Sequence, residues 1–140
     1  MKFRLKIVTP EKVLYSDLID QVSLSTAMGQ ITILPHHLPL VSQLAPGEVV
    51  IIKDKNEEEL MAVSGGLVEV LPDQVVILAD TAERAVEIDE ARAEAARQKA
   101  ESMLKEKLVD REQFAYLTAQ LEKELARLRV VRKHKNKRNI

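Results

Sequence analysis

The chain has no cysteine and no tryptophan, only two phenylalanines and two tyrosines, and four glycines among 140 residues. Zero cysteine excludes a disulfide framework and fits a reducing compartment. So few aromatics argue against a stacking platform for single-stranded nucleic acid. No apolar run approaches the roughly 20 residues that a membrane span requires. The opening MKFRLKIVTP alternates lysine and arginine with apolar residues, unlike a signal peptide. A cytosolic protein, or one peripheral to a membrane complex, is expected. There is no Gly-x-x-x-x-Gly-Lys loop, no Gly-x-Ser-x-Gly elbow and no nucleophile paired with a base, so catalysis is not expected.

What is present divides in two. At this length one domain, or one domain with an appendage, is expected. Nearly half the residues are apolar and the charges almost balance, enough for a packed core. All five prolines and all four glycines precede Asp73, after which alanine, glutamate, lysine, arginine and leucine take over. That shift marks turn-rich β structure giving way to long helix.

In the first half, Phe3, Leu5 and Ile7 alternate with Lys2, Arg4 and Lys6, giving one apolar and one wet face. QVSLST, GQITILP, EVVIIKD, ELMAVS, LVEVL and QVVILA continue the pattern, each closed by Gly, Pro, Asn or Asp. DKNE reads as a hairpin tip and LPDQ as a tight turn. Gly65 and Gly66 interrupt what would otherwise be one strand, which predicts a bulge or a close backbone approach. The expected fold is α+β: an N-terminal β-sandwich or flattened barrel over residues 1–84, then a C-terminal antiparallel two-helix hairpin over 85–140.

The first helix is expected from Asp89 through Leu108, with a small buried stripe of Ala93, Ala96, Ala100, Met103, Leu104 and Leu108. Asp110 caps the second, with Gln113 in capping-box position, and Phe114, Leu117, Leu121, Leu125 and Leu128 recur at spacings of three and four. Alanine offers leucine little to pack against, so weak docking between stable helices is expected. Two arrangements then lie close in energy, as a switch requires. Folded back, the second helix reaches about 30 Å; opened into one rod the pair spans roughly 65 Å. A permanently docked hairpin covering one face of the sandwich is the alternative.

Arg127, Arg129, Arg132, Lys133, Lys135, Lys137 and Arg138 follow with no acid after Glu124, although the whole chain has a formal net charge of −1. A segregated basic end suits an acidic protein patch, a nucleic acid or a lipid surface. Its attachment to an amphipathic helix favours a protein partner. A nucleic-acid-binding module acting through the tail is the second reading, disfavoured because the rest of the chain is acidic. A plain structural connector with a static hairpin is the third, and a solvated, frayed terminus is the bland account of the tail.

The histidine pair in ILPHHLPLV invites a metal reading. Neighbouring residues on an extended chain point to opposite faces, so His36 and His37 cannot readily share an ion. Pro35 and Pro39 suit a strand end or edge loop, and the histidines read as loop residues.

Taken together, IVTPEKVLYS, GQITILPHHLPLV, AVSGGLVEVLPDQVVILAD and AERAVEIDEARA resemble, in order and spacing across essentially the whole chain, the ε subunits of bacterial F-type ATP synthases. That resemblance implies a non-catalytic central-stalk subunit, peripheral on the cytoplasmic face of the cell membrane. Its sandwich would couple the γ subunit to the proton-driven c ring, with Leu34, His37, Leu38 and Leu40 at the interface. Its hairpin would rise along γ and block ATP hydrolysis, with Lys123, Arg127, Arg129, Arg132 and Lys133 meeting acidic segments of the catalytic β subunits. Some members bind regulatory ATP through Ile/Leu-Asp-x-x-Arg-Ala. Here Ile88, Asp89, Arg92 and Ala93 match, with Glu83, Lys99, Lys123 and Arg127 as further contacts. Lys99 stands where an arginine is frequent, which implies a weaker phosphate grip. Asp89 also fits a plain N-cap role, and Arg92 a solvated one. At position 36 the family commonly has glycine; histidine here implies either an ordinary φ or a shifted loop.

Overall fold

The computed structural model describes residues 1–54, 57–106 and 110–138, the last two by backbone alone. The middle of the expected DKNE tip, Leu108, and the side chains of Lys137 and Arg138 fall outside the described residues. Ten strands come first: β1 (Phe3–Val8), β2 (Val13–Ile19), β3 (Gln21–Thr26), β4 (Gly29–Ile33), β5 (Leu40–Leu44), β6 (Gly47–Lys53), β7 (Glu57–Val63), β8 (Gly66–Val70), β9 (Gln74–Ala79) and β10 (Ala82–Arg84). A 3-10 turn, Ala85–Glu87, leads to α1 (Glu90–Leu104) and α2 (Arg111–Arg138).

The strands run β10-β7-β6-β3-β5-β8-β9-β1-β2 as one wrapped sheet, with β4 paired to β3. It is a nearly closed flattened barrel, open between β2 and β10. Most pairs are antiparallel; β1 and β9 run parallel in register Leu5↔Val75 and Ile7↔Ile77. Alternation places Phe3, Leu5 and Ile7 inward with Val22, Leu24, Val49, Ile51, Val68, Val75 and Ile77. LPDQ is a turn, closed by Leu71 N–H donating to Gln74 O at 2.8 Å.

Three strands carry no clear sequence signal. In β2, Ser16 and Asp17 break the apolar rhythm, and β10 spans only three residues. β5 buries only Leu44 fully, because its outer side is bare. Pairing, rather than pattern, makes each of them a strand.

Gly65 and Gly66 adopt φ +130 and +135, and a Cβ on Gly66 would lie 1.9 Å from Leu78 O. The close approach foreseen for the Gly-Gly pair is thus backbone against backbone, at the start of β8. His36 stands at φ 65. It occupies the third position of a turn in which His37 N–H donates to Leu34 O at 3.3 Å, with Pro35 second. That position favours glycine. An ordinary φ at 36 is therefore not what the loop has: histidine takes the left-handed conformation itself.

β7 is buried on both sides. Met61 and Val63 face the barrel, whereas Leu60 and Ala62 join Ala85, Ile88, Val130 and Val131 in a second apolar cluster beneath α2. The LMAV run thus serves two cores. Asp89 caps α1, its Oδ1 accepting from Arg92 N–H at 3.2 Å. Asp110 caps α2 through Gln113 N–H at 2.8 Å. α1 ends at Leu104, short of the expected Leu108, with Lys105 as its C-cap. No glycine or proline marks that stop; the return of the chain toward α2 imposes it.

Candidate functional site

The last four turns of α2 lie on the barrel wall beside α1. Leu117, Glu124, Leu128 and Val131 form one buried stripe, and Ala126 and Val130 are buried on nearly the opposite face of the helix. The leucine spacing had pointed to Phe114, Leu121 and Leu125 as well, yet Phe114 is 56% exposed and Leu125 40%. The reason is geometric: α2 faces both α1 and β6–β7, so it buries Ala126 and Val130 as well. On α1 only Ala93 and Ala100 are fully buried, while Met103 is exposed. Full burial of a valine contributes roughly 1.5–3 kcal/mol. Val130 and Val131 together therefore approach the roughly 5.5 kcal/mol that takes a two-state balance from 1:99 to 99:1.

Around that small cluster the basic residues of α2 meet acids from three other elements. Arg127 Nε lies 2.6 Å from Glu83 Oε2 on β10, and Nη1 donates to Glu124 Oε2 at 2.8 Å. Arg132 reaches Glu94 at 3.2 Å and Glu90 at 3.6 Å on α1, and Lys135 reaches Glu90 at 3.1 Å. Lys133 Nζ stands 3.4 Å from both carboxylate oxygens of Glu48 on β6. Glu124 is itself buried, at 5% exposure. Burial alone would lower the pKa of the Arg127 guanidinium, but the charges of Glu83 and Glu124 outweigh it and hold the group above its ordinary value. The pairing is charge-assisted at its centre and more solvated at its rim.

The residues expected to hold nucleotide are only partly brought together. Glu83 and Arg127 pair with each other, Ile88 is packed under α2, and Ala93 is fully buried. Asp89 is the N-cap of α1 and Arg92 is exposed. Lys99 is exposed and Lys123 half-buried, and among the described residues neither joins the ionic network. Of the cations expected to inhibit, Arg127, Arg132 and Lys133 are engaged with acids, and Arg129 is exposed.

A second surface lies on the barrel. Leu34 and Leu38 are exposed in the loop before β5, whereas Leu40 is half-buried against the core. His37 is half-buried, its Nδ1 2.7 Å from Leu38 O. The sheet register adds what the sequence left hidden. Gln43, Leu67 and Leu78 are cross-strand neighbours, so Val41, Leu67 and Leu78 share one outer face, all exposed. The three form an apolar outer face across β5, β8 and β9.

Glu48, Glu90, Glu94, Val130 and Val131 also escaped the sequence reading. Only Glu124–Arg127, three residues apart on one helix, left a local signal.

A family model described as the ATP synthase delta/epsilon chain beta-sandwich domain matches residues 2–85, and one described as the delta/epsilon chain long alpha-helix domain matches residues 87–132. The chain belongs to the ATP synthase delta/epsilon chain family. Relatives of that family named ATP synthase epsilon chain occur in Chloroflexus aggregans, 51% identical over 99% of this chain and 98% of the relative. Another, in Herpetosiphon aurantiacus, is 43% identical over 98% and 99%. Among solved structures the fold resembles a chain of the Euglena gracilis mitochondrial ATP synthase, with a TM-score of 0.79 at 20% identity over 89% of this chain and 78% of that one. A chain of the Tetrahymena thermophila mitochondrial ATP synthase central stalk and c ring gives 0.55 at 18% identity over 96% of each. Among the described residues no helix is long and apolar enough to cross a membrane, and no group of three or more His, Asp or Glu is placed to hold a metal ion.

Proposed function

We propose that this chain is the non-catalytic central-stalk subunit of a proton-translocating F-type ATP synthase. Its barrel couples the γ subunit to the c ring, and its hairpin restrains ATP hydrolysis at the catalytic β subunits. It works at the cytoplasmic face of the cell membrane, held there through the complex. The single observation that carries the regulatory half is the fastening of α2. Its cations rest on Glu48, Glu83, Glu90 and Glu94, and its valines on a small apolar cluster. Such a fastening is strong enough to hold the arm and weak enough to release it. A released α2 offers Lys123, Arg127, Arg129, Arg132 and Lys133 to acidic segments of a partner. The exposed Leu34 and Leu38, with half-buried His37 and Leu40 beside them, and the Val41–Leu67–Leu78 face supply contact surface for the rotor.

ATP is the regulatory ligand of this reading. Ile88, Asp89, Arg92 and Ala93 open α1, and Lys99, Lys123 and Arg127 supply further positive charge for phosphates. Glu83 bears on the site through Arg127, which it holds at 2.6 Å. Phosphate must therefore compete with carboxylate for that guanidinium.

Deleting the residues after Glu87 is expected to leave the synthase assembled and to raise its ATP hydrolysis. Unchanged hydrolysis would reject the inhibitory role and leave the coupling role standing. Calorimetric titration of the full chain with ATP, repeated with Arg92→Ala, tests the ligand: heat lost in the variant supports it, and none in either chain rejects it.

A further inference from the structure

We propose that the docked hairpin masks three of its inhibitory cations, Arg127, Arg132 and Lys133, and that buried Glu124 holds them masked. This rests on the preceding reading for its consequence in the synthase, though the latch exists or fails in the isolated chain.

Each acid around α2 comes from a separate stretch of chain. Glu48 lies on β6, Glu83 on β10, Glu90 and Glu94 on α1. They take Lys133, Arg127, Arg132 and Lys135 at 2.6–3.6 Å. Acids on three sides of one helix can all be satisfied only at one rotation and one register of α2. An acidic partner must compete for these cations against carboxylates tethered in the same molecule, which act at high effective concentration. The docked state is therefore more than out of reach of a partner. Arg127, Arg132 and Lys133 are already spoken for, and Arg129 and Lys123 stand outside the latch.

Glu124 gives the latch its bias. Glu124 is 5% exposed and its carboxylate accepts from Arg127, which also faces Glu83. Two carboxylates thus hold one guanidinium, from α2 itself and from the barrel. When α2 leaves, Glu83 stays behind and Glu124 travels with the arm. At a spacing of three residues it remains beside Arg127 on one helical face. It fixes the guanidinium for docking, and it dilutes the positive charge that a raised arm offers. Both effects oppose inhibition.

The chain has no cysteine, so paired labels at Met28→Cys and Asn136→Cys report one distance. Both parent side chains are exposed. In the full chain, Glu48→Lys alone and Lys133→Glu alone are each expected to raise the undocked population about tenfold, because like charges then face each other. The two together should restore the docked distance. Single variants that stay docked, or a double variant that stays open, would overturn the latch.

In the assembled synthase, Glu124→Gln is expected to lower ATP hydrolysis severalfold, with removal of the residues after Glu87 as the reference. If that removal raises hydrolysis while Glu124→Gln leaves it unchanged, the role of Glu124 is overturned and the inhibitory reading survives. If removal changes nothing, the inhibitory reading and the role of Glu124 in it both fall, and the label distances still decide the latch.

Discussion

Lys133 Nζ stands 3.4 Å from both oxygens of Glu48, tying the end of α2 to the second half of the barrel wall across 85 residues of sequence. Near it, Val130 and Val131 close over Leu60, Ala62, Ala85 and Ile88. The hairpin is thus fastened at its end by a small apolar contact ringed with charge, while its return near Asp110 leaves Phe114 and Tyr116 exposed. Attachment concentrated in one place permits release as a unit.

Val130 is fully buried in that cluster. Val130→Ala is expected to weaken docking by about 2 kcal/mol, from lost transfer energy and the cavity left behind. Amide hydrogen exchange read helix by helix checks this. α2 should exchange roughly 30-fold faster while the amides of β1, β8 and β9 are unchanged. Equal acceleration in the sheet would mean that hairpin and barrel open together.

Gly66 tolerates no side chain. A Cβ there would meet Leu78 O at 1.9 Å and Ala79 Cα at 3.0 Å, at a φ of +135. Gly66→Ala is expected to destabilise the barrel by on the order of 3 kcal/mol, because both β8 and β9 must shift. Urea unfolding followed by circular dichroism measures it. A loss under about 1 kcal/mol would show that the strands part easily.

His36 makes the opposite case. It holds φ 65 in an exposed turn, where a β-carbon costs about 1 kcal/mol and glycine costs less, offset in part by the freer unfolded chain. His36→Gly is therefore expected to be neutral or to stabilise by about 0.5 kcal/mol, unlike most substitutions. Thermal melting distinguishes this from destabilisation, which would mean that the contact of His36 Nε2 with Met1 Sδ, at 3.1 Å, matters more than the backbone.

The Glu94 carboxyl is held below its ordinary pKa of 4.5, first by hydrogen bonds from Arg97, and it also meets Arg132. A carboxylate depressed in the folded state stabilises above the unfolded pKa and loses that contribution as pH falls through the folded one. Glu94→Gln is thus expected to lower the melting temperature at pH 6, by a margin that shrinks as pH falls below the ordinary value of 4.5. A difference that does not shrink on acidification would assign the effect to packing instead of charge.

Much of the fold was legible in the residues themselves. Period-2 alternation marked seven strands, the Gly-Gly pair marked a close approach, and Asp89 and Asp110 marked the two helix starts. β2, β5 and β10 were not legible, since short or half-bare strands are defined by their neighbours. The candidate site was legible on one side only. The cations of α2 stand in a single run, whereas Glu48, Glu90 and Glu94 are scattered among acids that look alike in one dimension, and Glu83 stood out only as a nucleotide contact.

By itself the sequence determined a β barrel followed by two helices with a basic end, because alternation, caps and composition act over a few residues. Only the tertiary structure decided which face of α2 is buried, which acids it meets and that His36 takes a left-handed turn. Those outcomes depend on distant segments meeting in space, and hydrophobic burial and ion pairing reward proximity whatever the separation along the chain.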